Sequence, residues 1–201
     1  IFKKKLCHYS FMILVFVLSM TGTLLSTDLG ISWILIEGTT LSSAYLIYFN
    51  KTKHSIEAAW KYVFICSIGI ALAFVGIILL NISSGAINTM NFEQLYQHAT
   101  EFDLMWLKLA FVFMLFGFGA KMGLAPAHFW LPDAHSESPS PISALLSATL
   151  LNSAFLVIVT LVSESKSIES IIDVFIFISS IGLDSTDIVF PLLFFMFTIL
   201  R

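Results

Sequence analysis

The feature that most limits what this chain can become is a succession of apolar runs, each about as long as a bilayer is thick, separated by short polar joints. A spanning helix needs about 20 consecutive apolar residues. Leu6–Thr27, Leu29–Phe49, Ile56–Leu80, Leu104–Leu131 and Ile142–Val162 each come close to supplying them. Only 11% of the 201 residues are charged and 58% are hydrophobic, whereas a soluble domain carries roughly 25% charged residues. The chain therefore reads as an all-α membrane protein, a polytopic transmembrane helix bundle forming a single domain over residues 1–201 and partnered by the lipid bilayer. A formal net charge of −3 leaves no basic footprint for nucleic acid. The two cysteines, Cys7 and Cys66, match no disulfide or metal spacing and read as small apolar fillers.

The joints divide these runs. Thr27-Asp28 closes the first, and Asn50-Lys-Thr-Lys-His54 closes the second. Ser55 is expected to cap the third helix, with Glu57 in its first turn. A longer polar connection follows, within which NFEQLYQHATEF suggests a short amphipathic helix. Ser140-Pro141 reads as an N-cap with proline at the first helical position. Beyond Ser163 the apolar runs Ile171–Ile181 and Ile188–Leu200 are too short or irregular to assign. With no methionine at Ile1 and an end at Arg201 directly after an apolar run, the sequence reads as a piece of a longer protein. Lys3-Lys4-Lys5 before the first run imitates a signal peptide, but no cleavage site with a soluble continuation follows. The lysine-rich joints at residues 3–5 and 51–61 predict one cytoplasmic side, with Asp28, Glu93, Glu101 and Asp103 opposite and residues 132–140 returning to the lysines.

Against this background a few charges stand out. Glu37, in SWILIEGTTLSSAYL, falls about 12 Å into its helix, where a charge costs at least about 2.5–3.5 kcal/mol. It is either a protonated glutamate gluing helices together or a proton or ion relay group. Gly38, Thr39, Thr40, Ser42 and Ser43 suit close packing beside it. Lys121, in FGFGAKMGLAPAHFWLPDAHSESPSP, lies deep in the fourth span, just before Gly123-Leu-Ala-Pro126 interrupts the helix; Pro132 is expected to break it again. A lysine reaching the headgroups is one reading. A charge beside a discontinuous helix, with water satisfying the freed backbone, is the other. Lys61 either snorkels or modulates Glu37, and Lys108 snorkels. His135 titrates near neutral pH; it is a plain loop histidine or a group that passes protons onward. His128, Asp133, His135 and Glu137 cluster, but in no common metal-ligand pattern, so no metal is expected. No nucleotide, haem or nucleophile motif appears, so no cofactor and no redox centre is expected in this chain.

The stretches WILIEGTTLSSAYL, SIEAAWKYVFICSIGIALAFVGI and GFGAKMGLAPAHFWLPDAHSESPSPISALLSATLLNSAFL together resemble the antiporter-like membrane subunits of respiratory complex I, membrane-bound hydrogenases and Mrp-type cation/proton antiporters. The hydrogenase 4 branch is the nearest. The resemblance covers roughly residues 6–158. It implies a fold of two inverted repeats, each with one broken helix. This chain would then be one inverted-repeat half, broken near Gly123-Pro126, with the beginning of the second. By motif, Glu37 matches the family's buried acidic residue, Lys61 its modulating lysine and Lys121 the lysine of its broken helix. The resemblance implies a proton relay through Glu37, Lys61 and Lys121, with the onward path left to His135, water or the missing half. Lys61 would compete with Lys121 for Glu37. It further implies an oxidoreductase complex whose other membrane subunits are the partners, any quinone being held in a neighbouring subunit, and a multi-pass location in the bacterial inner membrane. Ser147 and Asn152 stand where complex I subunits carry a further lysine or histidine, a departure that favours the hydrogenase branch. The alternatives are an Mrp-type cation/proton antiporter subunit and a structural membrane scaffold.

Overall fold

A computed structural model of the chain describes residues 2–85, 90–98, 101–124 and 127–164. The runs Ile171–Ile181 and Ile188–Leu200 lie outside the described residues, as does Pro126. The elements are α1 (Phe2–Leu25), α2 (Leu29–Ile47), a 3₁₀ turn (Tyr48–Asn50), α3 (Lys53–Ser84), α4 (Phe92–Gln97), α5 (Leu104–Met122), a second 3₁₀ turn (Ala127–Phe129), α6 (Trp130–Glu137), α7 (Ser140–Leu145), a π-helical turn (Leu146–Leu150) and α8 (Leu151–Glu164). Among the described residues four helical segments are long and apolar enough to cross a membrane: Leu6–Leu25, Lys53–Ser84, Leu104–Glu137 and Ser140–Leu161. The protein is a multi-pass membrane helix bundle.

α2 is not among those four. It is long enough for a span, but Glu37, Thr39, Thr40, Ser42 and Ser43 dilute its apolar character. Its hydroxyls bond back to its own carbonyls: Ser42 Oγ donates to Gly38 O at 2.8 Å and Ser43 Oγ to Thr39 O at 2.6 Å. Thr39, Thr40, Ser42 and Ser43 are all buried. The polar face of α2 thus points into the protein, the reverse of a soluble amphipathic helix.

Helix ends follow local chemistry. Asp28 caps α2, accepting from Ile31 N at 3.1 Å. Thr52 rather than Ser55 caps α3; its side chain accepts from Ser55 N at 2.9 Å. The cap therefore lies one turn earlier than the sequence suggests. α5 ends at Gly123, which sits at φ 79°, while Leu124 N donates to Gly119 O at 2.8 Å and Gly123 N to Ala120 O at 3.3 Å. This pair of bonds is the Schellman stop that a left-handed glycine permits. The second expected break does not occur, because Pro132 lies inside α6. It occupies the first turn, where its missing N–H would have no helical partner anyway.

The backbone joins the polar segments into two ends. Leu29 N donates to Met90 O at 2.9 Å, Phe92 N to Thr27 O at 3.0 Å and Asp103 N to Ser83 O at 3.3 Å, which gathers Asp28, α4 and Asp103 at one end. At the other, Thr52 Oγ1 bonds Glu137 Oε2 at 3.3 Å and Lys61 Nζ reaches Asp133 Oδ2 at 2.8 Å.

Between the ends, α3 and α5 touch backbone to backbone. A Cβ added to Gly117 would lie 2.5 Å from Ala73 N and 2.6 Å from Gly69 O, and one added to Gly76 would lie 2.8 Å from Ala110 O. Gly69, Ala73 and Gly76 on α3 face Ala110, Gly117 and Ala120 on α5. In a membrane, where lipid is as apolar as leucine, such a small-residue seam is a main source of helix association. The seam also sets the rotation of both helices. Lys121 follows Gly117 by four residues and so shares its face, and Tyr62 lies seven residues before Gly69 on the inward face of α3.

A buried lysine held by hydroxyls

The lysine this register carries inward is 1% exposed. Its ammonium donates to Thr40 Oγ1 at 2.8 Å and to the hydroxyl of Tyr62. It also lies 4.7 Å from the centroid of the Tyr62 ring, a cation–π distance. Tyr62 is itself fully buried. Its hydroxyl lies 2.6 Å from Ser43 Oγ, and its ring packs on Trp130, centroids 4.9 Å apart. Trp130 Nε1 donates to Ala120 O at 3.0 Å, so the residue that opens the helix after the break is pinned to the last turn before it. Ile36, Ile70 and Phe118 belong to one apolar core group, and Tyr62, Cys66 and Trp130 to the other.

Glu37 stands one helical turn from Thr40 on α2. Ser67 Oγ donates to its Oε1 at 3.5 Å, while Oε2 is buried without a hydrogen-bond partner among the described residues. Glu37 interacts electrostatically with Lys121, Tyr62 and Cys66. Yet among the described residues the ion pairs are Lys61–Glu57, Lys61–Asp133 and His98–Glu101. Glu37 and Lys121 thus share a site without being joined.

Lys61 is elsewhere. It pairs with Glu57 at 2.9 Å and Asp133 at 2.8 Å, with its side chain 44% exposed. One residue before Tyr62, it is turned about 100° away from the inward face, so it meets α6 instead of Glu37. His135 is half-buried in α6, its Nδ1 2.9 Å from Ser143 Oγ. Ser147 is exposed, and Asn152 Nδ2 donates at 2.5 Å to Ala148 O in the π-helical turn just before its own helix. Among the described residues no group of three or more His, Cys, Asp and Glu side chains could hold a metal ion.

The sequence reading missed Tyr62, Ser67 and Trp130, and treated Cys66 as filler although it lies beside the charges. A signal for Tyr62 existed: it falls a heptad before Gly69, in the column of small residues that meets α5.

The family described as NADH:quinone oxidoreductase/Mrp antiporter, TM matches residues 26–184. The chain belongs to this family. It is 41% identical over 152 residues to a hydrogenase-4 component F homolog of Methylacidiphilum infernorum, an alignment covering 73% of this chain and 32% of that protein. It is 35% identical over 137 residues to hydrogenase-4 component B of Escherichia coli, covering 68% of this chain and 20% of the relative. Its fold superposes with a TM-score of 0.74 and 26% identity on a chain of the membrane-bound sulfane sulfur reductase, an archaeal respiratory membrane complex, covering 79% of this chain and 32% of that one. This family member thus spans a third or less of the length of the relatives it matches.

Proposed function

We propose that this chain is part of a proton-translocating membrane subunit of a redox-driven pump, of the NADH:quinone oxidoreductase or hydrogenase type, in which Glu37 and Lys121 hold each other's charge in check. One observation carries the reading. A fully buried ammonium donates to two hydroxyls, while Glu37, one helical turn along α2 from the accepting Thr40, keeps a buried carboxylate oxygen without a hydrogen-bond partner among the described residues. If the two served only to glue helices together, they would form a closed pair, because an uncompensated buried charge is costly. Their separation suits a switch. At 4 Å such a pair is worth about 4 kcal/mol at an effective dielectric of 20, equivalent to roughly a thousandfold in proton occupancy. Bringing Glu37 to Lys121 holds the proton, and withdrawing it releases the proton.

In this reading His135 takes the proton on at the Lys61–Asp133 end. Lys61 competes for Glu37 only when its ion pairs with Glu57 and Asp133 open. The family match and the hydrogenase-4 relatives support assembly with other membrane subunits. In this reading the membrane is a bacterial inner membrane and any quinone is held by a neighbour. Redox centres belong to the partners.

The test is Lys121→Met in the full-length protein within its complex, with proton uptake and electron transfer measured on the same inverted vesicles. Uptake is expected to fall at least about tenfold while electron transfer remains measurable. Undiminished uptake defeats the proposal. Uptake that requires sodium would favour the antiporter branch of the family.

A further inference from the structure

The direction of each hydrogen bond around Lys121 can be worked out, and it singles out Tyr62. An ammonium has three donors and no acceptor, so Tyr62 Oη must accept from it. The phenolic O–H then has to donate elsewhere, and Ser43 Oγ lies 2.6 Å away. Ser43 in turn passes its proton to Thr39 O at 2.6 Å or Thr40 O at 3.2 Å. Thr40, the other acceptor of the ammonium, donates to Ile36 O at 3.2 Å. Thr40's own proton is thus anchored directly on a backbone carbonyl of α2, and that of Tyr62 on Ser43 Oγ, whose proton goes to α2 carbonyls in turn.

A neutral lysine changes this. It gains a lone pair, and the phenol, a better donor than either alcohol, can turn its O–H toward Nζ and release Ser43. Only a hydroxyl hydrogen moves. The ring stays fixed between Lys121 and Trp130.

We infer that Tyr62 is a positioning residue for proton transfer at Lys121: through the oriented chain Tyr62–Ser43–Thr39 it holds the charged form, and its O–H turns from Ser43 to Nζ when the lysine discharges. This rests on Lys121 carrying the proton as proposed above. The other titratable groups acting on Lys121 are Glu37 from α2 and Cys66 from α3. On the side of the helix break, Lys61 is occupied by Glu57 and Asp133, and His135 by Ser143.

The experiment measures redox-driven proton uptake against pH in vesicles containing the full-length protein in its complex. It compares Tyr62→Phe, which keeps the ring and its stacking, with Ser43→Ala and the double variant. Loss of one hydrogen bond to a charged group predicts a fall on the order of tenfold at neutral pH for Tyr62→Phe, recovering as the pH is lowered. Ser43→Ala should slow uptake in the parent and add nothing in the Tyr62→Phe background, because its effect runs through the phenol. Parent-like uptake and pH profile in Tyr62→Phe would overturn the inference, as would a Ser43→Ala effect that adds in full. If Tyr62→Phe does not assemble, Ser43→Ala decides alone: a parental pH profile in that variant overturns the idea. Lys121→Met runs alongside. If it is inactive while Tyr62→Phe is normal, only the present inference fails. If it pumps normally, the functional reading fails first.

Discussion

Replacing Gly117 by alanine tests whether the α3–α5 seam positions the buried lysine. The new Cβ would lie 2.5 Å from Ala73 N, 2.6 Å from Ala73 Cβ and 2.6 Å from Gly69 O. Ordinary contact begins near 3.5 Å, so the two backbones must separate by about 0.9 Å or the helices must rotate. Neither partner is a flexible side-chain end. Overpacking of this kind costs about 1–3 kcal/mol, set against a gain of up to about 1 kcal/mol from replacing a helical glycine by alanine. The net expectation is a loss of roughly 0–2 kcal/mol, centred near 1, which lowers the unfolding midpoint by a few degrees. Lys121 sits one turn from Gly117 on the same face, so its bond to Tyr62 should stretch beyond hydrogen-bond reach, and proton uptake should fall with stability. The assay is a tryptophan-fluorescence melt of the purified full-length protein, paired with vesicle proton uptake. Gly38→Ala is the control. Its Cβ would meet only the Ser19 side chain, Oγ at 3.1 Å, which can rotate, so the alanine gain should survive and the melt should hold or rise. If Gly117→Ala melts as high as the parent, or behaves like Gly38→Ala, the seam does not set the register of the site and this reasoning is wrong.

Other substitutions probe other parts of the site. Glu37→Gln keeps the size and removes the charge; proton uptake should drop at least about tenfold with electron transfer retained, and unchanged ion flux would favour a scaffold role. The Lys61–Asp133 pair is half exposed, so a double-mutant cycle on melting temperature should show only weak coupling that vanishes at high salt. Strong, salt-insensitive coupling would mean that the pair is buried in the assembled protein. Gly123→Ala forces a side chain into the left-handed conformation at φ 79° and against Leu131 Cδ1, and should destabilise by about 1 kcal/mol or more, read as a lower melting midpoint.

The sequence by itself determined that the chain is helical and crosses a membrane, where its polar joints lie, and that Glu37 and Lys121 fall within apolar runs. These are local properties. Hydropathy over about 20 residues is summed along one segment, and a glycine followed by proline marks a helix end whatever surrounds it. Which groups the buried charges meet was a different matter. From the sequence, Lys61 was as good a neighbour for Glu37 as any, yet it lies about 100° around the helix from Tyr62 and meets Asp133 instead. Lys121 could equally have paired with Glu37, yet Thr40 and Tyr62 receive it. Those outcomes depend on how far each helix is rotated and how closely it approaches its neighbour. The contact of Gly69, Ala73 and Gly76 with Ala110, Gly117 and Ala120 fixes both, and that contact exists only once the helices have packed.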